Sequence, residues 1–242
     1  MEWRDEGLII GLKRHGETSV IAEAFTRLHG RHLGVVRGGR SHRMQPLLQP
    51  GNSVEIVWRA RIEEHLGTFV LEPVHLRAAA IMDSGLALQG VNLLGACLRL
   101  LPERDPHEAL YETAALVADH LADTRIAPAL MARLELAILQ ELGFGLDLTE
   151  CAATGSRDDL VYVSPKSGRA VSREAGLPWR DRLLALPAFL RGDSPGTPVT
   201  RDDIAAGFAL TGYFLERDVF SPRGLPMPES RRAWLVEVGK LA

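Results

Sequence analysis

The sequence predicts an α+β multidomain chain: a small five-stranded barrel at the N-terminus, then a helical region interrupted by a loop-rich insertion. Three observations predict it. The first 80 residues break into five short apolar runs separated by glycine-bearing turns. From Ala78 onward the texture changes to Ala- and Leu-rich stretches with helical spacing. Between Glu150 and Gly176 that spacing lapses.

The first run, Glu6 to Arg14, contains Leu8, Ile9, Ile10 and Leu12 and ends at the Gly16 turn. Ser19 to Thr26 is the second and Leu33 to Val36 the third, closed by Gly38-Gly39. Ser53 to Arg61 alternates most clearly: Val54, Ile56 and Trp58 against Ser53, Glu55 and Arg59, with Val57 breaking the polar face. Gly67 to Leu76 is the fifth, and Pro73 marks its end as an edge. His29-Gly30, Gly38-Gly39 and Pro50-Gly51 supply the turns. Five strands in so short a span fit the small barrel that binds oligonucleotides.

The spacing predicts helices over Ala78 to Leu101, ending at Pro102, and over Pro106 to Ala122, with Asp105 as N-cap. A third runs from Pro128 to Leu142, where Leu130, Leu134, Ile138 and Leu142 form one apolar stripe stopped by Gly143. Leu160 to Val163 reads as a short strand within the insertion. Arg180 to Leu190 reads as helix, Arg191 to Thr200 as loop, and Thr200 caps a helix over Arg201 to Val219. A last turn is expected around Arg231 to Val238. The expected domains are 1–79 for the barrel, 80–149 with 177–242 for the helical part, and 150–176 for the insertion.

Charge localises a candidate function. The whole chain carries -3, with 28 Lys and Arg against 31 Asp and Glu. Residues 1–80 hold 11 basic and 9 acidic side chains, leaving 17 against 22 in the remainder. Within the barrel, Ala24 to Val54 contains Arg27, Arg31, Arg37, Arg40, Arg43, His29, His32 and His42, and no acid. A basic island in an acidic protein points to a specific anionic partner, foremost nucleic acid phosphate. Lys13 and Arg14 end the first strand, where they can share a rim with the island. The Gly-Gly turn beside Arg37 and Arg40 allows close approach of backbone to phosphate. Phe25, Trp58 and Phe69 are the available barrel aromatics, at least two of them expected in the core. Lys166, Arg169 and Arg173 form a second basic cluster, diluted by Asp158, Asp159 and Glu174.

Other chemistry finds no support. No phosphate loop, dinucleotide fingerprint or nucleophile elbow occurs. Asp202-Asp203 reads as first-turn charge at a helix N-terminus. The expectation is a protein without catalytic residues, metal or cofactor. No apolar run reaches the roughly 18 residues of a membrane span. The N-terminus lacks the features of a secretory signal, and two cysteines fit a reducing compartment, so a cytoplasmic, nucleoid-associated location is expected.

The order of the segments carries a resemblance. Gly7 to Glu17 (GLIIGLKRHGE), Phe25 to Gly30 (FTRLHG), Val36 to Arg40 (VRGGR), Leu48 to Gly51 (LQPG) and Leu134 to Gly155 (ending LGFGLDLTECAATG) follow one another in an order that resembles the RecO family of bacterial recombination mediators, across essentially the whole chain. The resemblance implies an N-terminal OB-fold, a helical domain and a cysteine-bearing insertion. It implies binding to single- and double-stranded DNA and annealing of complementary strands. It also implies partnership with RecR and with the C-terminal tail of single-stranded-DNA-binding protein, and through them help in loading the RecA recombinase. The helical middle is where the family would place that tail, with Arg99, Arg125 and Arg133 as candidate contacts. The alternative is a protein-interaction adaptor whose basic patch docks an acidic partner.

One departure is visible. The family's insertion often carries two Cys-x-x-Cys pairs that bind zinc, whereas here the first reads Cys151-Ala152-Ala153-Thr154 and Arg169 to Gly176 holds no cysteine. One thiolate cannot make a tetrahedral structural site, so the segment reads as a degenerate zinc-finger-like insertion without metal. Leu160, Val161 and Tyr162 are its expected anchors.

Overall fold

The computed structural model describes residues 1–192 and 198–241. Its strands are β1 (Glu2–His15), β2 (Ser19–Thr26), β3 (Gly30–Val36), β4 (Ser53–Arg59), β5 (Thr68–His75), β6 (Leu160–Val163), β7 (Ala170–Ser172) and β8 (Leu184–Ala185). Its helices are α1 (Ala78–Met82), α2 (Gly85–Leu98), α3 (Glu108–His120), α4 (Ala127–Glu141), α5 (Arg173–Gly176), α6 (Ala188–Arg191), α7 (Arg201–Phe214) and α8 (Glu229–Gly239). They divide between two compact units, Met1–Ala127 with Pro228–Ala242, and Pro128–Met227. Among the described residues no helix is long and apolar enough to cross a membrane.

In the first unit β1 to β5 close a barrel in the order β1-β2-β3-β5-β4, which is the five-stranded OB-fold. The closing seam is a single parallel step: the Val35 N–H donates to the Gly67 carbonyl at 3.1 Å, beside the pair Val35–Thr68. The alternation of β4 is realised as read, with Val54, Ile56 and Trp58 buried and Glu55, Val57 and Arg59 on the other face. β1 starts earlier than its apolar run. Glu2 to Glu6 has no strand periodicity of its own but pairs with β4, Trp3 opposite Trp58 and Asp5 opposite Ile56. β3 likewise starts at Gly30, because Gly30 pairs with Thr26 across the β2–β3 turn. Leu47 and Leu48, from the β3–β4 connection, join Val20, Val36 and Ile56 in the barrel core.

The expected helix over Ala78 to Leu101 is two helices. Ser84 separates them and caps α2, its hydroxyl accepting from the Ala87 N–H at 3.2 Å. The helix expected from Pro106 with Asp105 as its N-cap is α3, which begins at Glu108 with His107 at the N-cap position and no side-chain cap. The preceding segment is drawn out along β3: the Arg104 N–H donates to the Arg31 carbonyl at 2.9 Å, and a Cβ added at Gly30 would lie 2.0 Å from the Asp105 carbonyl oxygen. The β1 bulge between Ile9 and Gly11 is held by Arg99, whose guanidinium donates to the Ile10 carbonyl at 2.7 Å. α8 packs on α2, with Trp234 fully buried over Gly90.

In the second unit the α4 stripe is buried at Leu134 and Ile138 and half-buried at Leu130 and Leu142. α7 packs on the same core, and its Thr211 hydroxyl donates to the buried Glu135 carboxylate at 2.5 Å. Thr200 caps α7 in a full capping box with Asp203, so Asp203 is a structural first-turn acid. α7 then widens into a π-helical turn over Leu215–Phe220, which carries the helix one residue past the expected end at Val219. Arg180 to Leu190 is not one helix. It comprises the end of a 3₁₀ turn (Leu177–Arg182), the edge strand β8 paired with β6, and α6 after Pro187. Proline at 187 has no N–H to continue a helical ladder from 183. The insertion holds one strand more than expected, β7, paired with β6. Its anchors are Leu160 and Val163, both buried, while Val161 and Tyr162 are only partly covered. Part of the loop expected at Arg191 to Thr200 lies outside the described residues.

Candidate nucleic-acid interface

Strand register decides which of the candidate cations meet. Arg14 of β1 lies opposite Val20 of β2, and Val20 opposite Val36 of β3. Lys13 and Arg14, near the end of β1, and Arg37, just past the end of β3, therefore lie at one rim of the barrel, with the start of β2 between them. The β3–β4 connection folds onto that rim. The Arg40 N–H donates to the Thr18 carbonyl at 3.0 Å, and its guanidinium to the Glu17 carbonyl at 2.5 Å. Arg43 follows on a tight turn, in which Met44 N–H donates to the Ser41 carbonyl, and Met44 packs against the barrel core. Lys13, Arg14, Arg37, Arg40 and Arg43 are all exposed. Among the described residues none of the five is paired with a carboxylate. A cleft of about 390 Å³ opens beside Arg37, lined also by Met44, Arg59, Thr68, Phe69 and Val70.

Arg27 and Arg31 lie apart from these five, flanking the β2–β3 turn at the opposite end of the hairpin. Both are engaged. Arg27 pairs with Glu112 of α3 and lies over the Tyr111 ring. Arg31 pairs with Glu23 at 2.8 Å and with Glu103 at 3.4 Å, and only 15% of its side chain is exposed. The histidines of the turn are also structural. His29 stacks on Trp3 at 4.2 Å and bonds the buried Asp5 at 2.9 Å. His32 is enclosed by Trp3, Trp58 and Phe69. Burial, then the nearby Arg104 and His29 charges, push it down to about 4 against the pull of the Leu33 carbonyl.

All three barrel aromatics read as core candidates are buried: Phe25, Trp58 and Phe69. His15, absent from the expected set, stands exposed on the basic rim. The run Lys13-Arg14-His15 directly ahead of the Gly16 turn is the signal that could have revealed it. Asn52 and Arg77 were also missed. Asn52 is fully buried and spans four bonds, donating to the Pro46 and Leu47 carbonyls and accepting from the Arg77 and Ala78 N–H groups. It thereby fastens the basic connection to the start of α1.

In the second unit the three cluster cations do not form a free patch. Arg169 pairs with Asp147 at 3.2 Å and Glu150 at 3.0 Å, and Arg173 with Asp159 at 3.0 Å. Among the described residues Lys166 alone of the three is exposed and without an acidic partner. Of the other candidates, Arg99 binds Glu23, Arg125 binds Asp123 and Arg133 donates to the Phe189 carbonyl.

Cys151 is buried and its sulfur accepts from the Ser172 N–H at 3.3 Å and hydroxyl at 3.5 Å. Burial pushes the thiol up, but bonds from Ser172, Thr154 and the Ala153 N–H outweigh it and bring it down to about 6. A structural zinc ion needs four ligands. Around Cys151 stand donors to sulfur, not further thiolates, and among the described residues no three His, Cys, Asp or Glu side chains converge. These residues do not fit a structural zinc ion.

Comparison with known proteins bears on the whole chain. The family model for Recombination protein O N terminal matches residues 1–77, and that for Recombination protein O C terminal matches residues 94–225. The DNA repair protein RecO of Methylocella silvestris is 64% identical over 240 residues, covering 99% of this chain and 97% of its own. Those of a Chelativorans species and of Mesorhizobium japonicum are 58% and 57% identical, covering 98% and 99% of this chain and 96% and 94% of their own. The chain therefore belongs to the recombination protein O family.

Proposed function

We propose that this chain acts in recombinational DNA repair as a non-enzymatic mediator that holds DNA on the basic rim of its barrel. DNA repair is the role named for relatives 57–64% identical to it over nearly their full length. The observation that carries the site is the set Lys13, Arg14, Arg37 and Arg43, exposed on one rim and, among the described residues, without carboxylate partners, with Arg40 fixing the loop that bears two of them. Cations aligned on one rim neutralise phosphates on two strands and lower their mutual repulsion, which favours annealing through binding alone. Lys166, Arg169 and Arg173 contribute less, since two of the three already serve acids of the insertion. RecR, the tail of single-stranded-DNA-binding protein and, indirectly, RecA are the partners this role implies, at the nucleoid in the cytoplasm.

The test is the double variant Arg37→Glu with Arg43→Glu, assayed for annealing of complementary oligonucleotides. Annealing should fall at least tenfold while circular dichroism and the melting temperature stay close to the parent's. Unchanged annealing in a folded double variant would refute the site and favour an acidic protein partner there.

A further inference from the structure

We infer that the basic rim grips the sugar–phosphate backbone alone, so that the bases of a bound strand stack on no protein ring and stay free to pair. The inference rests on the reading above, that the rim holds DNA. It adds which part of the DNA the rim recognises.

Two independent observations carry it. The first is the chemistry of the rim. Residues 12–19 and 37–45, which build it, supply one lysine, four arginines and no Phe, Tyr or Trp. The turn tips at Gly16 and Gly38 are left-handed, with φ of +62° and +65°, and a Cβ added at either would meet nothing within 4 Å. The backbone there is uncovered, and a phosphate can approach it as closely as it can the guanidinium groups.

The second observation is where the rings went. Barrels of this type that hold single strands join a basic groove to exposed aromatics, and stacking on a ring strengthens binding roughly five- to hundredfold per base. Here Phe25 and Trp58 are buried, and the Trp58 indole N–H is already bonded to the Leu66 carbonyl at 3.0 Å; Phe69 lines the floor of the cleft beside Arg37, but with 3% of its surface exposed it offers no open face for a base to stack on. Trp3 is partly exposed but sits at the start of β1, far along the strand from Lys13, and is stacked between His29 at 4.2 Å and Trp58 at 5.6 Å. The rim keeps only two imidazoles, His15 and His42, for any stacking.

A grip of this kind is indifferent to base identity and leaves Watson–Crick edges open. It suits strands that must find complements while bound. A base-stacking groove would have to release each base before pairing.

The experiment compares the full chain's binding to a labelled oligothymidylate and to an abasic strand of the same length, with Arg37→Glu/Arg43→Glu as the control for the site. Dissociation constants that agree within about twofold, with coinciding salt dependences and equal sensitivity to the double reversal, are the expected result. Binding of oligothymidylate that depends on the rim, with the abasic strand tenfold weaker or worse, would overturn the inference while leaving the rim as the DNA site. It would then assign stacking to His15, His42 or the Phe69 ring in the cleft beside Arg37. Binding of neither strand, or binding unaffected by the double reversal, would overturn both the inference and the reading beneath it.

Discussion

Arg40 grips the β1–β2 hairpin: its guanidinium donates to the Glu17 carbonyl at 2.5 Å and its N–H to the Thr18 carbonyl at 3.0 Å. One residue of the basic connection thus holds the turn that carries Lys13 and Arg14 beside Arg37. Arg40→Ala should loosen that assembly as well as remove a charge. Amide hydrogen exchange should speed up across residues 15–19 in Arg40→Ala and stay at the parent rate in Arg43→Ala. Equal protection in both variants would reduce Arg40 to one more surface charge.

The two arginines at the other end of the hairpin should act on stability instead of on DNA. Arg31 is mostly covered and shares the Glu23 carboxylate with Arg99, whose Nε lies 2.7 Å from it. Arg31→Ala leaves Glu23 with one partner of two and should cost about 1–2 kcal/mol in urea denaturation. Its effect on oligonucleotide affinity should stay within about twofold, the loss of one distant charge. A large affinity loss without destabilisation would move the DNA site toward the β2–β3 turn.

Asn52 is the hub between the basic connection and the rest of the first unit. Its four hydrogen bonds, at 2.9, 3.1, 2.7 and 3.1 Å, are all to backbone groups and all lost in Asn52→Ala. At about 1 kcal/mol for each bond, the expected loss is about 3–4 kcal/mol. Asn52→Asp keeps the acceptor for Arg77 and Ala78 but turns a carboxylate oxygen toward the Pro46 and Leu47 carbonyls at a fully buried site, so in urea denaturation it should lose at least as much as Asn52→Ala.

His32 sets a pH dependence of sign opposite to that of a salt-bridged histidine. Its folded value of about 4 lies below the ordinary 6.5, so the folded state prefers the neutral ring. The unfolded chain binds a proton that the folded chain does not between those two values. The stabilisation is complete above pH 6.5 and is lost as pH falls toward 4. Urea midpoints should decline across that window, and His32→Leu should flatten the decline. A decline of the same steepness in both would assign it to other groups.

Much of the fold was legible, for a local reason. The alternation Val54, Ile56, Trp58 and the turns at Gly16, Gly30 and Gly38 are properties of neighbouring residues, and the barrel kept them. The start of β1 was not, because Trp3 and Asp5 become strand only through pairing with Trp58 and Ile56. Nor was β8, two residues recruited by the edge of β6. The basic island shows the same limit at the site. An acid-free window in sequence is not acid-free in space: Arg27 and Arg31 found Glu112, Glu23 and Glu103, all from outside it. Strand β3 runs between Arg31 and Arg37 and carries the island to both ends of the hairpin. Among the described residues the half joined by Lys13 and Arg14 met no carboxylate, and register, not composition, selects it.

The central claim is that four or five rim cations bind DNA phosphates, and the salt dependence of single-strand binding tests it most directly. At about -0.7 per phosphate neutralised, four to five contacts give a log–log slope of roughly -3 to -3.5. The slope should become shallower by about 1.4 or more when Arg37 and Arg43 are both reversed. A slope near zero, or one that the double reversal leaves unchanged, would contradict the rim as the DNA site.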